Sequence, residues 1–171
     1  FVLRLLYTTI TGLGRFNVRS SSGTIIPEVI AAITETFHIC MLSFTNTSTL
    51  LAIESSCDET SAAVYIGEEL KSNVISSQMF HTKFGGIVPE LASRAHVQHI
   101  TAVVREALHE AGIGMERVDA VAVTQSPGLA GSLVVGTNFA KGLALRYSVP
   151  IVAVNHIEGH IYSAFIEHKE I

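Results

Sequence analysis

From residue 49 onward the apolar residues of this chain change their period in a fixed order, and that order narrows the fold more than anything else in it. Residues 50–54, 61–66 and 70–76 are short runs of strand length and composition. Gly67-Glu68-Glu69 separates the second from the third and signals a hairpin. Pro89 suits the first turn of a helix. After it, Ile100, Val103, Val104, Ala107, Leu108 and Ala111 recur at helical spacing, and Gly112 supplies the stop. Residues 118–124 read as a fourth strand, a nearly all-apolar helix runs to about Tyr147, residues 150–154 form a fifth strand, and a last helix opens at His156. The order is β-β-β-α-β-α-β-α. A three-stranded meander followed by strand–helix alternation predicts an α/β fold with a mixed five-stranded sheet and helices on its faces.

A chain of 171 residues with 48% hydrophobic and 15% charged residues has the means to bury a core. A formal net charge of −4 creates no general basic field, so contact with RNA requires a local patch or a partner. Cys40 and Cys57 give no disulfide framework and fit a reducing compartment. Apolar runs stay well short of a membrane span, so no membrane partner is expected. Residues 1–48 read differently from the rest. No acidic residue precedes Glu28, and Arg4, Arg15 and Arg19 are interleaved with Ser and Thr, the composition of a mitochondrial transit peptide. Glu28 and Glu35 depart from that pattern, which favours upstream sequence outside the native fold, with Met41 a natural start. Val29, Ile30, Ile33 and Phe37 have the spacing of a short amphipathic helix. The expected division is therefore residues 1–48 as an extension, disordered or not native, and 49–171 as one lobe.

Three stretches carry chemistry. Ser55-Ser56-Cys57-Asp58-Glu59-Thr60 follows the first strand; Ser55, Ser56 and Thr60 can offer hydroxyls and backbone N–H groups to a phosphate, while Asp58 and Glu59 can hold a cation or orient a water. The same residues also make an ordinary turn. Cys57 has no base at a telling spacing and reads as a packing residue. Ser126-Pro127-Gly128-Leu129-Ala130-Gly131-Ser132 leads into a helix N-terminus, where free N–H groups and the helix dipole attract anions. It lacks the lysine of a P-loop, and a tight strand-to-helix connection is the other reading. Within the helix that follows, Gly136 and Ala140 lie four apart and permit close packing. Its apolar residues, among them Leu133, Val134, Phe139 and Leu145, go round most of its circumference, so it is expected to be interior or covered by a partner.

The third stretch is Asn155-His156-Ile157-Glu158-Gly159-His160. Two imidazoles four residues apart share one helix face and can share a metal ion; the other reading is two solvated or hydrogen-bonded imidazoles. Glu158 stands two residues after His156, about 200° round the helix, so the pair does not make the zinc-protease motif. Two ligands are too few, and a third must come from elsewhere. Glu90 and Arg94 read as a surface ion pair, His96 as a hydrogen-bonded, partly buried histidine, and His81 and Lys83 as flanking a loop open to substrate or RNA.

Taken in order, Ile53-Glu54-Ser55-Ser56-Cys57-Asp58-Glu59-Thr60, Phe84-Gly85-Gly86-Ile87-Val88-Pro89-Glu90-Leu91-Ala92-Ser93-Arg94-Ala95-His96, Pro127-Gly128-Leu129-Ala130-Gly131-Ser132-Leu133 and the His156/His160 motif resemble the N-terminal half of the TsaD family over about residues 49–171. These are tRNA threonylcarbamoyladenosine synthase components, formerly called glycoproteases. The residue 89–96 stretch and Gly159 are closer to bacterial members than to mitochondrial ones. The resemblance implies an actin-like, Hsp70-like ATPase fold of the ribonuclease H-like type, of which this chain is the first lobe and lacks the second. It implies transfer of threonylcarbamoyl from threonylcarbamoyl-adenylate to N6 of the adenosine next to the anticodon, in tRNAs reading codons that begin with A. It implies one divalent metal ion, iron or zinc, on His156 and His160, with an aspartate ligand outside this chain. Implied partners are tRNA, the adenylate, a related actin-like paralogue and a small ATPase. The implied compartment is the cytoplasm, with mitochondria the alternative. The isolated segment is expected to be inactive. A non-catalytic paralogue acting as a dimerisation partner, and a sugar or acetate kinase of the same superfamily, are the competing classes; the histidine pair speaks against both.

Overall fold

The structure, a computed structural model, describes residues 47–67, 69–78 and 85–167, with side chains described as far as residue 161. The expected extension up to residue 46, its amphipathic helix, and the loop carrying His81 and Lys83 lie outside the described residues. Five strands, β1 (Thr49–Glu54), β2 (Glu59–Ile66), β3 (Glu69–Ser77), β4 (Ala120–Ser126) and β5 (Ile151–Asn155), form one sheet in the order β3-β2-β1-β4-β5. The meander is antiparallel, and β1, β4 and β5 run parallel. The helices are α1 (Pro89–Glu110), α2 (Ala130–Tyr147) and α3 (His156–Glu167). This is the mixed five-stranded sheet that the periodicity predicts.

β1 is the spine, and all six of its residues are buried. Its unbroken apolar run is what a central strand covered on both faces requires. Leu51 and Ile53 join Ala62, Val64, Val121 and Val123 in the core beneath α1 and α2, while Leu50 and Ala52 join Ala63, Tyr65, Ala122 and Val154 on the opposite face. β3, at the edge, buries only Ser72, half-buries Val74 and Ser76, and turns Lys71, Asn73 and Ser77 outward, which suits a strand with one free side. The starts of β1 and β4 are pinned together: the Thr49 N–H donates to Asp119 Oδ2 at 2.7 Å and the Asp119 N–H donates to the Thr49 carbonyl at 2.8 Å.

α1 buries Ala92, Ala95, His96, Ile100, Val103, Val104, Ala107 and Leu108, an i, i+3, i+4 stripe. It ends where Gly112 takes φ +67°, and the Ile113 N–H donates to the Leu108 carbonyl at 3.1 Å, closing off the last turn. A 3-10 turn at Met115–Arg117, not signalled by periodicity, tucks buried Met115 into the core.

α2 departs from expectation. It buries only Ser132, Gly136, Ala140 and Ala144, its small residues, against the sheet and α1. Val134 is 55% exposed and Leu145 86% exposed. Close approach is made by the small stripe; Val135, Phe139, Leu143 and Tyr147 pack half-buried beside it against the core, and Val134 and Leu145 are left outward. A groove of about 330 Å³ runs between α2 and edge strand β5, walled by Leu133 and Val134 and floored by Val123 and Ala153. A second difference is the start of β2. Glu59 and Thr60, read as turn residues, already pair with Ser77 and Ser76 across the β2–β3 ladder.

Candidate functional site

The parallel strands β1, β4 and β5 all end at one edge of the sheet, and each is followed by one of the three polar stretches. Ligand sites in open α/β sheets form outside the carboxyl ends of strands, because the connections there converge without blocking one another. Here they are in hydrogen-bond contact. The Ser56 carbonyl accepts the Leu129 N–H at 2.7 Å, tying the β1–β2 turn to the loop before α2. The Ser132 hydroxyl donates to the Cys57 carbonyl at 3.2 Å, and the Ser55 hydroxyl donates to the Ser132 carbonyl at 2.9 Å. Ser56 Oγ lies 3.1 Å from His156 Nδ1, which ties the same turn to α3.

Two glycines exist for this contact. A Cβ on Gly128 would sit 2.6 Å from the Ser56 carbonyl oxygen, a backbone atom that cannot swing away. A Cβ on Gly136 would sit 2.2 Å from Ser55 Oγ. Gly131 approaches Ser93 in the same way, its Cβ position 2.3 Å from Ser93 Oγ. The N-cap of α2 is Leu129, which has no side-chain oxygen to satisfy the first-turn N–H groups. Those groups and the positive end of the helix dipole therefore face the site as an anion-attracting surface.

Asn155 starts α3. Its Oδ1 accepts the N–H groups of Ile157 at 2.9 Å and Glu158 at 3.2 Å, an N-cap that fixes where the helix begins. His156 and His160 consequently lie on one face, with their Nε2 atoms 3.0 Å apart, ring centroids 4.4 Å apart and ring planes at 86°. A head-on N–H···N bond of that length would separate the centroids by about 5.3 Å, so the two nitrogens converge on a common point instead. Two imidazole nitrogens about 2.1 Å from one ion and subtending roughly 90–110° lie about 3.0–3.4 Å apart, so the donor pair fits two adjacent positions on one metal. Among the described residues no cluster of three or more His, Cys, Asp or Glu side chains could complete such a site.

The remaining candidates separate. Thr60 and His96 are both fully buried; Thr60 Oγ1 lies 2.7 Å from His96 Nδ1, and His96 Nε2 lies 3.0 Å from the Cys57 carbonyl oxygen. Thr60 thus braces the turn from beneath rather than presenting a hydroxyl to a ligand. Burial holds the His96 imidazole below its ordinary range, with the Cys57 carbonyl opposing. Glu59 is exposed and accepts the Ser77 hydroxyl at 2.8 Å. Asp58 is half-buried beside Cys57, whose thiol is raised by burial and then by the Asp58 carboxylate. A raised thiol carries little thiolate at neutral pH, which agrees with its reading as a packing residue. Glu90 and Arg94 form the expected surface pair at 2.6 Å.

One residue lies within a motif to which the sequence assigns it no role. Glu54, the last residue of β1, is 5% exposed. Its Oε1 accepts the Ser56 N–H, its Oε2 accepts the Thr124 hydroxyl, and Oε2 lies 3.6 Å from His156 Nδ1. The signal was present, since a carboxylate closing an otherwise apolar buried strand must find partners or pay heavily in desolvation.

The profile of the TsaD family, tRNA N6-adenosine threonylcarbamoyltransferase, matches residues 69–171. A protein of that name from Clostridium perfringens strain SM101 is 58% identical over 128 residues, which are 74% of this chain and 38% of the relative. The like-named protein of Clostridium beijerinckii is 57% identical over 124 residues, 71% of this chain and 37% of the relative. The chain thus spans well under half the length of these curated relatives. Among solved structures, YeaZ from Pseudomonas aeruginosa superposes with a TM-score of 0.51 at 26% identity, over 63% of this chain and 43% of that one. With the β3-β2-β1-β4-β5 order, this likeness identifies an actin-type, ribonuclease H-like α/β lobe.

Proposed function

The chain belongs to the TsaD family, and on that premise we propose that it is the first lobe of an enzyme that transfers threonylcarbamoyl from threonylcarbamoyl-adenylate to N6 of an adenosine in tRNA, the one next to the anticodon where codons begin with A. The observation that carries the reading is the convergence of the residue 55–60 turn, the 126–132 loop and the His156/His160 pair at one sheet edge, linked through Ser56. The donor is a mixed anhydride with AMP as its leaving group. Its phosphate is suited to the first turn of α2, where Gly131 and Ser132 present backbone N–H groups. Charge that develops on the departing AMP is met there by dipoles already in place.

His156 and His160 would hold a divalent ion, iron or zinc, with a third ligand, an aspartate, from the part of the enzyme beyond this chain. Bound between those residues, such an ion would supply polarisation of donor oxygens and offset of transition-state charge. The residues of this lobe orient the donor for attack by the adenosine amine. No covalent intermediate is required, which agrees with the raised Cys57 thiol. Asp58, half-buried in the turn, and Glu59, exposed at the start of β2, are the candidate carboxylates to orient a water. We assign the tRNA substrate, a related actin-like paralogue and a small ATPase as partners, and the cytoplasm as compartment, in keeping with the bacterial relatives. No described helix is long and apolar enough to cross a membrane.

The test uses the full-length enzyme. His156→Ala and His160→Ala should each lose bound metal and threonylcarbamoyl transfer together while circular dichroism stays unchanged. Normal transfer by a folded, metal-free double variant would refute the reading, and the lobe would then be better assigned to the kinase-like or non-catalytic members of the superfamily.

A further inference from the structure

We infer that Glu54 and Ser56 act as positioning residues that hold His156 in the tautomer with its proton on Nδ1 and its Nε2 lone pair turned toward His160. The inference rests on the proposed metal reading of the histidine pair and adds to it the reason one nitrogen rather than the other is the ligand.

A neutral imidazole has one donor and one acceptor nitrogen, and which is which follows from the partner each meets. His156 Nδ1 faces Ser56 Oγ at 3.1 Å, and a hydroxyl oxygen can accept from Nδ1–H or donate to a bare Nδ1. The hydroxyl alone does not decide. In the second arrangement the proton sits on Nε2, pointing at His160, and the pair cannot chelate. Glu54 breaks the tie. Its Oε2 stands 3.6 Å from Nδ1, too long for a direct hydrogen bond but close enough to favour an N–H dipole pointing toward it. The side chain cannot drift away, because it is 7% exposed and both oxygens are held, Oε1 by the Ser56 N–H and Oε2 by the Thr124 hydroxyl. A buried carboxylate fixed from two strands and the turn is costly to build unless its field is used. Here that field falls on the far side of a histidine whose other nitrogen faces the second imidazole at 3.0 Å. Carboxylates behind ligating histidines raise ligand basicity and lock ring orientation, and their loss lowers metal affinity about 10–100-fold.

The experiment is a Zn²⁺ competition titration against a chromophoric chelator on the metal-stripped full-length protein. Glu54→Gln keeps shape and one acceptor but removes the charge; Ser56→Ala removes the hydroxyl oxygen that accepts from Nδ1–H; Ser56→Thr retains the hydroxyl. Glu54→Gln and Ser56→Ala are each expected to bind Zn²⁺ about 10–100-fold more weakly than wild type, while Ser56→Thr binds nearly as well. A purely structural role for the pair would lower the unfolding midpoint of the metal-free protein and leave Zn²⁺ affinity in place. Wild-type affinity in both folded variants overturns the inference. If Glu54→Gln does not fold, Ser56→Ala decides alone, since it leaves the buried carboxylate and its backbone partner intact. Equal Zn²⁺ binding by wild type and His156→Ala instead overturns the metal reading itself, and this inference with it.

Discussion

Gly136→Ala is the sharpest test of how α2 reaches the site, because two ordinary rules predict opposite signs. Helix propensity alone says that replacing a mid-helix glycine by alanine stabilises by about 1 kcal/mol. The structure says otherwise. The new Cβ would stand 2.2 Å from Ser55 Oγ and 3.2 Å from Ser55 Cβ. Ser55 is fully buried, so its hydroxyl must rotate or the turn must shift, and either move breaks its bond to the Ser132 carbonyl. Overpacking a tight interior contact costs about 1–3 kcal/mol. The lost hydrogen bond adds about 1 kcal/mol. After the propensity gain, the net expectation is a destabilisation of about 1–3 kcal/mol. Urea unfolding of the full-length protein, with the slope held constant between variants, reads it directly. Ser55→Ala removes the oxygen that the methyl would strike, so the double variant should be destabilised by less than the sum of the two singles, with a coupling of at least about 0.5 kcal/mol. A Gly136→Ala protein as stable as wild type, or a strictly additive double variant, would refute the close approach.

Three further outcomes are expected. Gly128→Ala drives a Cβ to 2.6 Å from the Ser56 carbonyl and should open the Leu129 N–H bond to it, weakening binding of a non-hydrolysable threonylcarbamoyl-adenylate analogue by at least about tenfold in calorimetry; unchanged affinity would detach that loop from the site. Burial lowers the His96 pKa from its ordinary 6.5, so the unfolded chain takes up a proton that the folded one refuses as pH falls through that value; stability is complete above it and declines below it, and His96→Gln, whose amide can still meet Thr60 and the Cys57 carbonyl, should flatten the decline between pH 7.5 and 5.5, an unaltered slope counting against it. Leu133→Glu, on the groove wall beside the outward face of α2, should weaken assembly with a related subunit in size-exclusion chromatography; an unchanged assembly state in a folded variant would place that interface elsewhere.

Much of the fold is legible because local signals agree with each other. β1 carries four successive apolar residues, 50 to 53, and is buried at every position, while β3 mixes Ser, Asn and Lys with apolar residues and lies at the edge. Gly112 was readable as a stop because it falls after the last periodic residue, and there it adopts positive φ. α2 is not interior among the described residues, for a physical reason. Periodicity counts apolar residues without regard to size, and here the contact face is the small one: Ser132, Gly136, Ala140 and Ala144 recur every four residues, while Val134 and Leu145 stay outside. The criterion that fits this helix is distance of approach rather than hydrophobicity, and Gly136 four residues before Ala140 already signalled it.

The three polar stretches of the candidate site can be picked out in the sequence, and the bonds that join them cannot. Hydroxyl residues near a phosphate suggest direct contact, yet Ser55, Thr60 and Ser132 spend their hydroxyls on Ser132, His96 and Cys57, each within the protein. Those bonds connect residues 36 to 77 positions apart, and no local pattern encodes them. Their effect is to tie the turn to α1 and α2 through side chains that local sequence does not pair. Glu54 follows the same logic. In sequence it ends a strand; in space it lies between Thr124 of the neighbouring strand, the Ser56 backbone and His156, which is one hundred and two residues away in sequence (156 less 54). Because β1, β4 and β5 are parallel, their carboxyl ends must come to one edge, so whichever residues close them become neighbours. A buried carboxylate at one of those ends and a histidine at another therefore become neighbours through the topology, which the spacing of His156 and His160 alone does not reveal.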